Sequence, residues 1–89
     1  MIINYEKIVK DCIFQIKNIT VSNVEQKLTS DLRFESIDII DLFFEIEQKT
    51  SLAIDLNEIA AELKNEKGRR FNDIKVSDII KYLKIKSEK

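Results

Sequence analysis

The chain has 89 residues, 44% of them hydrophobic and 35% charged, with a formal net charge of −1. That length supports one core and leaves no room for two lobes around a deep cleft, and the composition is that of a folded chain. With no histidine and one cysteine, a Cys/His zinc site, an internal disulfide and a histidine-based nucleophilic triad are excluded.

Zero prolines and one glycine, Gly68, favour long helices over a strand-rich fold. The opening MIINYEKIVKDCIFQI is broken by Glu6, Lys7, Lys10 and Asp11, so it reads as neither a signal peptide nor a membrane span. A cytoplasmic address is the default expectation. Tyr5, Ile8, Val9, Cys12, Ile13 and Ile16 recur at helical spacing and predict a first amphipathic helix, with Cys12 as ordinary core.

From Lys17 to Arg33 isolated apolar residues (Ile19, Val21, Val24, Leu28, Leu32) predict a long connection pinned to the core at intervals. Ser22 and Glu25 have capping-box spacing, which predicts a short helical turn inside it. Ile37 to Lys49 then predicts the most apolar helix. Asp38, Asp41, Glu45, Gln48 and Lys49 share its narrow polar arc, and Glu47 is the lone charge in a wide apolar arc. So much apolar surface predicts contact with several neighbours, with Ile37 and Phe44 at the partly exposed rim.

Asp55 and Glu58 form a second capping-box pair and open a shorter helix with Leu56, Ile59, Ala60 and Leu63 on one face. KNEKGRRFND breaks the period around Gly68. A last helix from about Ser77 carries Val76, Ile79, Ile80 and Leu83 inward. The expected fold is therefore all-α, a single-domain small four-helix bundle of three principal helices and one short one.

Charge is divided unevenly along the chain. Residues 31–47 hold six acids against one base, and residues 64–89 nine bases against four acids. Such a dipole steers association. The cations Lys64, Lys67, Arg69 and Arg70 fit a solvated loop better than a second docking surface. No nucleic-acid reading motif accompanies them, and the acidic helix opposes nucleic-acid binding.

Ser36 heads the apolar helix between Glu35 and Ile37. Taken by itself it reads as an N-cap or first-turn residue, although a capping box would place Glu or Gln at 39, where Ile39 stands. The competing reading is a reachable hydroxyl at a helix N-terminus, where N–H groups and the macrodipole tolerate an attached phosphate.

At these residues the chain resembles the acyl carrier proteins, four-helix domains whose serine bears a 4′-phosphopantetheine arm. Their Asp-Ser-Leu motif corresponds to Glu35, Ser36 and Ile37, and the Asp-Leu preceding it to Asp31 and Leu32. Ile54 with Asp55 is similar to the start of the family's third helix, and Val76 to Leu83 to its fourth. The chain departs from the family at Arg33 and Phe34, where glycine and a small residue are frequent, at Thr50, and in its weaker acidity.

The resemblance implies a monomer that catalyses nothing itself and carries an acyl or related group as a thioester on phosphopantetheine attached to Ser36. It implies docking through Glu35, Ile37, Asp38, Asp41, Phe44, Glu45 and Glu47. The implied partners are a phosphopantetheinyl transferase, an acyl-loading ligase or transferase, and downstream acyl-processing enzymes, in a dedicated pathway rather than general fatty-acid biosynthesis. The alternative is a helical interaction module of the same fold that carries no arm.

Overall fold

The computed structural model describes residues 3–67 and 74–88, without the side chains of 62–67. It is all-helical: α1 (Tyr5–Lys17), α2 (Ser36–Thr50), α3 (Leu56–Lys67) and α4 (Val76–Ser87). None of these helices is long and apolar enough to cross a membrane. The break expected around Gly68, with Arg69 and Arg70, lies outside the described residues, whereas Lys64 and Lys67, expected in a loop, belong to the end of α3, their side chains not being described.

α1 begins where Asn4 accepts the Lys7 N–H at 3.0 Å and ends at Asn18, whose left-handed backbone (φ 56°) returns its N–H to the Phe14 carbonyl. Both are ordinary solutions to unsatisfied helix ends. Its inward face is Tyr5, Val9, Cys12 and Ile13, as the periodicity predicts. Cys12 is fully buried, and that burial raises its thiol pKa.

The connection between α1 and α2 is not a helix at Ser22. Asn23 organises a turn instead, its side chain accepting the Glu25 N–H at 2.8 Å and its carbonyl the Gln26 N–H at 3.0 Å. Beyond it, the backbone runs against the start of α4. Leu28 donates to the Ile74 carbonyl, while Val76 and Ser77 donate to the carbonyls of Gln26 and Val24. The connection thus satisfies N–H groups in α4's first turn that no intrahelical acceptor can reach. Leu28, Leu32 and Phe34 are buried beneath it.

Leu42, Phe43 and Ile46 of α2, Ile59 of α3, and Val76, Ile79 and Leu83 of α4 complete the core with the α1 face. Tyr82 joins them at the seam of α3 and α4. Its hydroxyl accepts the Asp55 N–H at 3.2 Å and donates to Glu58 at 2.7 Å, and Lys86 closes on the same Glu58 oxygen at 2.9 Å. Asp55 caps α3 as expected, accepting the Asn57 N–H. The reciprocal half of that box differs from expectation, since the Asp55 N–H donates to Tyr82 from a different helix.

Candidate functional site

The approach to α2 is shaped by a tight turn. Asp31 accepts the Lys27 N–H at 2.8 Å, and Phe34 donates to the Leu28 carbonyl at 2.8 Å. Arg33 occupies the left-handed region between them, at φ 59°. A side chain there costs about 1–2 kcal/mol that glycine would avoid. The turn therefore keeps a glycine-like conformation at the position where the family resemblance sets glycine against arginine.

Glu35, extended at φ −93° and ψ 171°, is the N-cap of α2, and Asp38 accepts its N–H at 2.9 Å. Ser36 is thus the first helical residue and not the cap. Of the two places expected for it, N-cap or first turn, the structure gives the first turn, because the acid three residues beyond Glu35 is Asp38 and the box closes on Glu35. Ser36 is exposed. Neither its hydroxyl nor the N–H groups of Ser36 and Ile37 have a hydrogen-bond partner among the described residues.

Asp38 does more than cap. Lys17, the last residue of α1, reaches its Oδ2 at 3.1 Å and lies 5.9 Å from the centre of the Phe34 ring. The Asp38 pKa is lowered, first by the Glu35 N–H and then by Lys17. The pair ties α1's end to α2's beginning, and it offsets a negative charge two residues from Ser36.

The outward face of α2 is more apolar than a solvated helix needs. Ile37, Ile40 and Phe44 are 64%, 54% and 53% exposed. The exposure at Ile37 and Phe44 agrees with their rim position, whereas exposure at Ile40 is not among the expectations. Its spacing, three after Ile37 and four before Phe44, is the signal that could have found it. The wide apolar arc is therefore only partly covered by neighbours.

Among the acids expected to dock partners, Glu35 and Asp41 are exposed and Glu45 is half-buried. Asp41 and Glu45 engage no cation among the described residues. Asp38 is held by Lys17, and Glu47 accepts the Ile54 N–H at 2.8 Å. Through that bond the lone charge of the apolar arc fastens the connection between α2 and α3.

The structure thus brings Glu35, Ser36, Ile37, Asp41, Phe44 and Glu45 to the open side of one helix, with Ile40 added. It engages the carboxylates of Asp38 and Glu47 inside the fold. Lys17 is a further residue of the site, and in the sequence only its place in the last turn of α1 hints at contact with another helix. Comparison of the chain with protein-family models, with curated proteins and with solved structures found no match.

Proposed function

We propose that this chain is an acyl carrier protein, with Ser36 as the attachment site of a 4′-phosphopantetheine arm. The observation that carries the reading is an exposed serine at the first helical position, relieved of capping and next to two N–H groups without acceptors among the described residues. A helix start in that state suits a phosphodiester, because orphan N–H groups and the macrodipole both favour an anion. Lys17 reduces the repulsion Asp38 would otherwise exert.

In this role the protein's contribution is presentation. The Ser36 hydroxyl oxygen would attack the phosphorus of coenzyme A that bears the pantetheine, giving its proton to the transferase's base, as the pyrophosphate P–O bond breaks and magnesium-bound adenosine 3′,5′-bisphosphate leaves. The arm, once attached, supplies a thiol that holds the acyl group as a thioester. Glu35, Asp41 and Glu45 attract basic enzyme surfaces, while Ile37, Ile40 and Phe44 give them apolar contact. Exposed ion pairs contribute about 1 kcal/mol or less each, which suits a carrier that must dissociate after every delivery.

The second reading, an arm-less interaction module, draws on the same exposed apolar residues, which are available whether or not Ser36 is modified. Intact mass after incubation with coenzyme A, magnesium and a broad-specificity phosphopantetheinyl transferase separates them. Gain of one phosphopantetheine by the unmutated chain and none by Ser36→Ala is expected. No gain by the folded chain, with a transferase from the same genome also tried, favours the module.

A further inference from the structure

At the end of α2 away from Ser36 lies a half-open cleft of about 360 Å³, lined by Ser51 and Leu52 of the connection to α3, Glu58 of α3, and Tyr82, Ile85 and Lys86 of α4. That volume falls within the range of small-molecule sites, about 300–1,000 Å³. At roughly 30 Å³ for each water-sized group it admits about a dozen non-hydrogen atoms.

The cleft holds more hydrogen-bonding capacity than the fold uses. Tyr82, which is buried, commits its proton to Glu58, and Lys86 reaches the same carboxylate oxygen at 2.9 Å and the Tyr82 hydroxyl at 3.3 Å. Burial raises the Tyr82 pKa, and the hydrogen bond to Glu58 raises that of Lys86, so both protons stay in place at neutral pH. An ammonium has three donors, and Lys86 shows no third hydrogen-bond partner among the described residues. The Ser51 hydroxyl, able to donate and to accept, has none among them either.

Charge narrows what such a cleft can take. Glu58 and Lys86 offset each other, so an anionic head group drawn to Lys86 meets Glu58, and a cation drawn to Glu58 meets Lys86. A neutral amide conflicts with neither. Its carbonyl can take the third Lys86 proton in a charge-assisted bond, while its N–H reaches the Ser51 oxygen. Leu52 and Ile85, the latter 38% exposed, offer apolar surface to a short hydrocarbon chain beside the amide.

We propose that this cleft binds a small neutral amide with a branched aliphatic chain, its carbonyl on Lys86, its N–H on Ser51 and its hydrocarbon against Leu52 and Ile85. The 15 residues of α2, about 22 Å at 1.5 Å per residue, separate the cleft from Ser36. The site therefore stands whether or not Ser36 carries an arm.

The test is an NMR titration of the ¹⁵N-labelled full chain, at about pH 6.5, with neutral N-acetyl-leucinamide. N-acetyl-leucine and leucinamide keep the same side chain beside an anionic and a cationic group respectively. The expected result is saturable shifts centred on the amides of Ser51, Leu52, Ile85 and Lys86, with both charged relatives bound at least about fivefold more weakly. Ser51→Gly removes the hydroxyl at an exposed residue whose φ of 59° glycine adopts freely, and Lys86→Met keeps the stem without the donor. Each should weaken binding of N-acetyl-leucinamide about fivefold. Lys86→Met, which takes a positive charge away from Glu58, should also turn the preference toward cationic leucinamide.

Equal or tighter binding of either charged relative by the unmutated chain overturns the site. So do shifts scattered over the other helices, no saturable shift up to the solubility limit of N-acetyl-leucinamide, or undiminished binding by either folded variant. Folding is read from the dispersion of the same spectra, and Ser51→Gly keeps the test decisive where Lys86→Met loses structure.

Discussion

The starts of α2 and α4 use one device to different ends. Each has an aspartate at the third helical position accepting the N-cap N–H, Asp38 from Glu35 at 2.9 Å and Asp78 from Lys75 at 2.8 Å. At α4 the first residue is Val76, fully buried, and the first two N–H groups donate to carbonyls of the long connection. At α2 the first residue is Ser36, exposed, and the corresponding N–H groups have no acceptor among the described residues. The difference shows that a cap closes a helix only in part. Tertiary contacts close the start of α4, and their absence leaves the start of α2 free for an added anion.

The sharpest way to break this comparison is to exchange roles at the first position. Ser36→Ala should abolish phosphopantetheine loading while changing stability by no more than about 0.5 kcal/mol, because it removes no cap and no buried group. Intact mass and urea unfolding read the two effects. A stability loss of about 1 kcal/mol or more, on the order of a true N-cap deletion, would return Ser36 to a structural role.

Val76→Ala should do the reverse. Removing buried methyl groups from a fully covered site should cost about 2 kcal/mol in urea unfolding. Loading of the folded protein should persist.

The paired caps give a smaller and more symmetrical test. Asp38→Ala and Asp78→Ala should each destabilise by about 1 kcal/mol, and the former should in addition release Lys17 from the start of α2. A pH dependence follows for Asp38. Its folded pKa lies below the unfolded value, so the unfolded chain takes up the proton first as pH falls. The associated stability is present above the ordinary aspartate range and is lost as pH falls through the folded pKa. The stability gap between the unmutated chain and Asp38→Asn should therefore narrow below about pH 4 in urea titrations. A gap that stays constant to low pH contradicts the assignment.

The smallest effect is expected in the approach to Ser36. Arg33→Gly relieves a side chain at φ 59° but adds freedom to the unfolded chain, so a net gain of about 0.5 kcal/mol is expected in thermal or urea unfolding. Loading should be unchanged. A destabilised variant would mean that the Arg33 side chain makes a compensating contribution of its own.

Much of this architecture can be read from residue order because helical periodicity is a local property. The inward faces of α1 and α4 follow from residues at three- and four-residue spacing, and the absence of proline leaves those helices unbroken. Ser36 and the acids near it are equally legible, since a polar residue heading an apolar helix stands out in composition. That Ser36 takes the first turn and leaves the cap to Glu35 has a local reason as well. Serine is a preferred cap and glutamate is not, yet the acid three positions later decides which residue is closed. The turn at Asn23 differs from expectation similarly, because an asparagine side chain competes with the predicted helical start.

Sequence by itself determined the helical class, the inward faces of α1 and α4, the separation of acidic from basic segments, and the serine at the head of the most apolar helix. Those depend on neighbours along the chain. Only tertiary structure decided that the connection closes α4, that Lys17 holds Asp38, that Tyr82 serves the start of α3, and that Ile40 stays open to solvent beside Ile37 and Phe44. Each of those depends on which other helix arrives at a given face. The same apolar arc is core where neighbouring helices cover it and exposed surface where nothing does, a difference that periodicity does not encode.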